Sequence, residues 1–337
     1  MDDPDDPDRG ASIERDGAAD DCAALPYSSD ATARINNTTS RGINNATYPP
    51  RDGNTVLHEA ALRGLAAKCL VIVSTPTFTA HNATSNLGGT ALHYAAAEGH
   101  AGACSAILAA PRFTAHNRCA GRGFTAGHFA ACSGNAAACA AILASERFTA
   151  HNAAATGGGE TCLILAAKAE HADACVAILA SERFTAHNAA TNLGSTALHY
   201  AAANGLTKVC KAILASARFT ASDAQDASGD TALNLAAAFG HADACAVIME
   251  RADAHELANE DGDAPLDLAA HAGNGAVCRV LLQGTIWSVV STAAAVNAAA
   301  SEGHDDVLRL FVEDDRYAAI RPLLDTRARQ VLDEMIR

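Results

Sequence analysis

Short apolar runs and polar punctuation follow each other along this chain on a fixed period. The segment GGTALHYAAAEGH at 88–100 returns almost unchanged as GSTALHYAAANGL at 194–206, with looser copies between and beyond. In the copy at 90–100, Leu92, Ala95, Ala96 and Gly99 recur at i, i+3, i+4 and i+7, one face of a helix, with Thr90 placed to cap its start. This predicts a short first helix ending at Gly99-His100. A second helix follows, with Cys104, Ile107 and Leu108 as its buried stripe and Ala-Pro-Arg-Phe as its stop, and a loop of Thr, Asn and Gly returns to the next copy. Neither helix can bury its apolar face alone, so the copies must stack into one core.

Anchored on the threonine, the copies begin at Thr55, Thr90, Thr125, Thr161, Thr196 and Thr231, then with alanine at Ala264 and Ala294. The pattern T-x-L-H-x-A-A-x-x-G-H at this spacing resembles the ankyrin family, whose consensus opens Thr-Pro-Leu-His. That resemblance implies an all-α ankyrin-repeat solenoid, with helix-turn-helix units joined by short β-hairpin-like loops, occupying 36–315. Residues 1–35 read as an acidic disordered tail and 316–337 as a C-terminal capping helix. The family proline occurs only as Pro265. Ile164 replaces the histidine of the fourth copy and Glu170 its turn glycine, while Asn234, Asp267 and Asn297 fill the histidine slot of the last three, so local irregularity is expected there. The shortened step from 264 to 294, carrying Ile286 and Trp287, predicts an altered hairpin.

Two residue types form ladders. Cys69, Cys104, Cys139, Cys175, Cys210, Cys245 and Cys278 share one position, taken by Leu308 in the eighth copy, which marks it as a core slot for a medium apolar side chain. Stacked helices lie about 8–10 Å apart, beyond the ~7 Å Cα reach of a disulfide. His58, His93, His128 and His199 stand three residues after the anchor, where the family resemblance implies hydrogen bonds tying turn to helix start. His81, His116, His151 and His187, with His255 in a looser copy, precede each hairpin. One imidazole per layer cannot converge on a metal at the ~2.0–2.1 Å that zinc requires, so neither a metal nor any other cofactor is expected. Phe78, Phe113, Phe148, Phe184 and Phe219 are expected to plug the ends of the second helices. Asn82, Asn117, Asn152 and Asn188 match the family's loop asparagine, which in some ankyrin proteins is hydroxylated; histidine precedes each one here.

Positions that differ among copies are the candidates for recognition, because invariant ones are accounted for by stacking. The fourth residue after each anchor reads Glu59, Tyr94, Phe129, Leu165, Tyr200, Leu235 and Leu268, and beside it stand Arg63, Glu98, Ser133, Lys168, Asn204, Phe239 and His271. On a helix these share a face opposite the buried stripe, and in ankyrin-like stacks that face looks into a concave groove. The expected partner-binding set is therefore Tyr94, Phe129, Leu165, Lys168, Tyr200, Asn204, Leu235 and Phe239, an apolar line with a polar rim.

Composition narrows the function. Hydrophobic residues are 49% of the chain but aromatics only 4%, so the apolar content is largely alanine, suited to close helix packing. The net charge is −14, and residues 1–21 hold nine acidic side chains against Arg9 and Arg15. This balance argues against nucleic-acid or anionic-membrane binding, which need clustered Lys and Arg, and leaves a protein partner, one with a basic surface included. With no apolar run of about 18 residues and an acidic start, a cytoplasmic or otherwise intracellular location is the default. The expected function is a non-catalytic protein–protein interaction scaffold or adaptor, monomeric alone. The alternatives are a permanent structural subunit of a larger assembly, or a His/Cys-based enzyme or metal-binding protein. An enzyme needs a nucleophile, base and orienting group to converge in one pocket, whereas these ladders spread one residue per layer.

Overall fold

A seven-residue helix does not persist alone in water, so a chain built from such helices depends on capped ends and packed neighbours. The computed structural model describes residues 53–251, 256–284, 287–314 and 317–336. The anticipated acidic tail at 1–35 lies outside the described residues. Two compact units divide in sequence between Asn192 and Leu193.

The N-terminal unit holds four helix pairs: α1 Val56–Leu62 with α2 Ala66–Ser74, α3 Ala91–Ala97 with α4 Ala101–Ala109, α5 Ala126–Cys132 with α6 Ala136–Ala144, and α7 Cys162–Lys168 with α8 Ala172–Leu179. First helices pack on first helices (α1, α3, α5, α7) and second helices on second helices. The small residues make this possible: Ala60, Ala61, Ala95, Ala96, Ala130, Ala131, Ala166 and Ala167 are wholly buried, letting seven-residue helices lie close. Cys69, Cys104, Cys139 and Cys175 line the second-helix seam with Ile107, Ile142 and Ile178.

The C-terminal unit continues the pattern with α9 Ala197–Ala203 and α10 Thr207–Ala215, α11 Ala232–Ala238 and α12 Ala242–Met249, and α13 Pro265–His271 and α14 Gly275–Gly284. A longer α15 Val289–Glu302 then pairs with α16 Asp305–Val312, and α17 Tyr317–Ile320, a 3-10 turn Arg321–Leu323 and α18 Thr326–Ile336 follow. The fold class is an all-α repeat solenoid. The loops are hairpin-like in their bonding: Ser85 N–H donates to the Gly89 carbonyl at 2.9 Å and Asp226 N–H to the Asp230 carbonyl at 2.9 Å, and Ala120 and Phe124 form a β-bridge.

Three expectations need correction. Glu170 does not break the turn: it takes up the left-handed φ of 62° that glycine holds in the sister turns, and its N–H still closes on the Ala167 carbonyl at 3.1 Å. Ala294 is not a helix start but lies inside α15, because Ser288 caps that helix earlier, its hydroxyl accepting from Ser291 N–H at 3.1 Å. Ahead of it Trp287 is buried, its indole N–H donating to the Leu281 carbonyl at 2.7 Å. The expected capping helix at 316–337 is not one helix over its described residues 317–336, since Pro322 cannot donate to a helical ladder and a 3-10 turn separates α17 from α18.

Candidate functional site

The slot three residues after each anchor sets up the rest of the site. In His58, His93, His128 and His199, Nδ1 receives both the backbone N–H (3.0–3.1 Å) and the hydroxyl (2.8 Å) of the anchor threonine. On the far side of the ring Nε2 donates to a carbonyl of the following loop: Gly89 at 3.1 Å, Arg118 at 2.9 Å, Glu160 at 3.2 Å and Asp230 at 3.1 Å. A backbone N–H can only donate and a carbonyl only accept, so this geometry fixes the neutral Nε2–H tautomer. Burial pushes the pKa of His58, His93 and His128 down to about 4, and lowers that of His199. Asn234 makes the same pair of connections without a titrating group: Oδ1 accepts from the Thr231 hydroxyl at 2.5 Å and Nδ2 donates to the Leu257 and Asp263 carbonyls at 3.3 Å. Ile164 makes neither and is buried as an apolar filler.

A further set of polar links joins consecutive repeats, and no local sequence pattern announces it. His100 Nε2 donates to the Leu62 carbonyl at 3.1 Å and His171 Nε2 to that of Cys132 at 2.9 Å. In the C-terminal unit His241 and His304 do the same to Ala203 (3.0 Å) and His271 (2.9 Å), while Asn274 uses its amide on Ala237 and Ala238. Each ring lies over the turn glycine of the preceding repeat: a Cβ on Gly134 would fall 2.5 Å from His171 Nδ1. The one signal in the residues is the histidine after the turn in Gly99-His100, Glu170-His171, Gly240-His241 and Gly303-His304, which reads as a helix boundary.

The predicted groove line is divided by the structure. Tyr94, Phe129, Leu165, Tyr200 and Leu235 are buried, none more than 7% exposed, which corrects the expectation that they face an open groove. The physical reason is that first helices are flanked by their neighbours, and in α3 and α5 the fourth-position side chain reaches back onto the preceding repeat: Tyr94 meets the His58 ring edge-on at 5.5 Å and Phe129 meets His93 at 5.5 Å. Leu268 alone in this register is half-buried. Lys168, Asn204 and Phe239 stay half-exposed at the C-terminal ends of α7, α9 and α11, in line with half-exposed Arg63, Glu98 and Ser133 and exposed His271. Within each unit these ends form a row of unlike side chains over a uniform floor.

The remaining ladders are structural. The seven ladder cysteines are free and buried, and burial pushes the thiols of six of them, Cys69, Cys104, Cys139, Cys210, Cys245 and Cys278, up to about 12, so they remain protonated. Phe78, Phe113, Phe148 and Phe184 are fully buried, and the first three stand edge-on to His81, His116 and His151. Asn82 Oδ1 accepts the N–H groups of Thr114 and Ala115 while its Nδ2 donates to the Thr114 hydroxyl; Asn117 and Asn152 repeat this one and two layers on. Among the described residues no group of three His, Cys, Asp or Glu side chains could hold a metal ion, and no helix is long and apolar enough to cross a membrane.

Comparison with known proteins agrees with this geometry. The family model for ankyrin repeats matches in three copies, over residues 57–152, 127–223 and 218–290. Among solved structures, the human ASB11 ankyrin repeat domain is similar at 20% identity and a TM-score of 0.53, covering 70% of this chain and 100% of that one. The ankyrin repeat domain of Bcl-3, a member of the IkappaB protein family, is similar at 23% identity and a TM-score of 0.57, covering 68% of this chain and 99% of that one. At these identities the likeness concerns the fold. No curated protein matches the chain.

Proposed function

Since the chain belongs to the ankyrin-repeat family, whose members generally serve in protein–protein interaction and are typically non-catalytic, we propose that it is a non-catalytic scaffold binding another protein along the ends of its first helices. The observation that carries this reading is the contrast between floor and rim. The floor, Tyr94, Phe129 and Leu165 in one unit and Tyr200 and Leu235 in the other, is buried and holds the helices in place. The rim, Arg63, Glu98, Ser133 and Lys168 in one unit and Asn204, Phe239 and His271 in the other, changes chemistry at every repeat and keeps accessible surface. A rigid floor under a varied rim lets side chains bind without a large ordering cost. The excess of acidic residues favours a partner with a basic surface.

The test is cross-linking with mass spectrometry in native extract, comparing the wild-type chain with Lys168→Glu in one variant and Asn204→Ala with Phe239→Ala in another. These rim residues are replaceable without emptying the core, which the buried Tyr94 and Phe129 are not. Loss of a defined partner in either variant, with thermal stability kept, supports the reading. An unchanged partner set in both moves recognition to another surface.

A further inference from the structure

Two carboxylic acids are buried in the C-terminal unit beside the starts of α11 and α13. Asp267 occupies the slot of the capping histidines and is only 7% exposed. Its Oδ2 accepts the Ala264 N–H at 2.9 Å, but its Oδ1 is enclosed and has no hydrogen-bond partner. Ala264 offers no hydroxyl in place of the anchor threonine. Asp230, directly before the Thr231 anchor, is 1% exposed; Asn259 Nδ2 donates to its Oδ1 at 3.1 Å. Asp263, half-buried on the loop before α13, acts on both of these carboxyls.

The loops before α11 and α13 bring further carboxylates, while α9 and α13 each bring a histidine. From the loop before α11, Asp226 acts on Asp230 while its Oδ1 accepts the N–H groups of Ser228 (2.9 Å) and Asp230 (3.0 Å). From the loop before α13 come Asp261, which acts on Asp230, and Glu256, which acts on Asp267 while its carboxylate accepts the Ser288 N–H. On α13 itself His271 acts on Asp263, and its Nε2 lies 3.8 Å from Glu302 Oε1 of α15. On α9, His199 feels Asp226 while it donates to the Asp230 carbonyl.

We propose that Asp230, Asp263 and Asp267 form a proton-operated fastening of the sixth and seventh repeats, closed when the carboxyls are protonated and loosened when they ionise. An ionised Asp267 places charge on an enclosed oxygen that nothing neutralises, and an ionised Asp230 faces three further carboxylates across one amide. Burial, reinforced by these neighbours, pushes both pKa values up from 3.8 to about 7 and raises that of Asp263. A proton held in the folded chain and absent from the unfolded one favours folding. That contribution is complete below about pH 4 and disappears as pH rises through about 7.

Hydrogen exchange on the full chain at pH 5.5 and pH 8, corrected for the intrinsic rate, reads this locally and without any partner. Peptides from 226–284 should lose protection at pH 8 by about tenfold, the equivalent of one pKa unit. Asp230→Asn with Asp267→Asn should abolish the change, and Asp263→Asn, which removes the half-buried neighbour while leaving both buried acids, should reduce it. Equal pH response in the wild type and the double variant overturns the proposal, as does an Asp263→Asn chain that responds in full. Because the readout does not depend on binding, its failure leaves the scaffold reading standing, and the reverse.

Discussion

The N-terminal repeats and the seventh repeat close the same turn with groups that titrate in opposite directions. In the N-terminal unit a neutral imidazole accepts from its threonine and donates to the next loop, so protonating it destroys the acceptor. In the seventh repeat a carboxyl receives one N–H and keeps an enclosed oxygen bare, so deprotonating it creates an unneutralised charge. His58, His93 and His128, held at about 4 in the fold against about 6.5 unfolded, favour the folded chain above pH 6.5 and cease to as pH falls toward 4. Asp230 and Asp267 do the reverse over roughly the same window. The lesson is that one backbone motif tolerates chemically opposite caps, and that the choice decides how each region responds to pH.

The most damaging way to break this comparison is His93→Ala. It removes the Thr90 cap, the bond to the Arg118 carbonyl and the edge contact with Phe129, and should cost about 2–4 kcal/mol, read as a lower urea midpoint. The replacement Asp267→Asn should stabilise the chain at pH 8 by on the order of 1–2 kcal/mol, after discounting for solvent around the site, and should have little effect at pH 4. A thermal melt at each pH checks it. Next in size is His93→Asn, for which Asn234 of the sixth repeat sets the precedent, since its amide makes the hydroxyl and carbonyl connections of the capping imidazole, though not the one to the anchor N–H. This change should cost about 1 kcal/mol at pH 7 and flatten the acid limb of the stability curve, as urea titrations across pH 4–7 would show. The smallest effect belongs to Glu170→Gly, which relieves a non-glycine φ of 62° and should raise the melting stability by about 1 kcal/mol at every pH.

Much of this is legible in the residues, for reasons that differ by position. The helix pairs and the buried cysteines follow from periodicity and side-chain chemistry, which act within one repeat, and the Thr-x-x-His links from the family resemblance. The burial of Tyr94 and Phe129 is not, because a helical wheel assigns an outer face to an isolated helix, whereas α3 and α5 are enclosed by neighbours on either side. The inter-repeat links of His100 and His171 escape a reading of the sequence because donor and acceptor lie 38 and 39 residues apart, further than any local pattern reaches. Trp287 and Ser288 displace the last anchor, since the alanine-rich α15 carries no internal mark of where its first turn lies. That Asp230 and Asp267 are enclosed depends on packing and is not legible in the residues.

The glycine turn and the ring laid over it by the next repeat have a consequence for how such an array can change length. The hollow belongs to one repeat and the plug to its successor: Gly64 receives His100, Gly99 receives Asn135, and Gly134 receives His171. A duplication or excision of one whole period at such joins therefore delivers a hollow and a plug together and leaves them matched. A change of part of a period does not. Repeat number is thus free to drift by recombination in whole units, whereas either half of a join, once altered, is left without its counterpart.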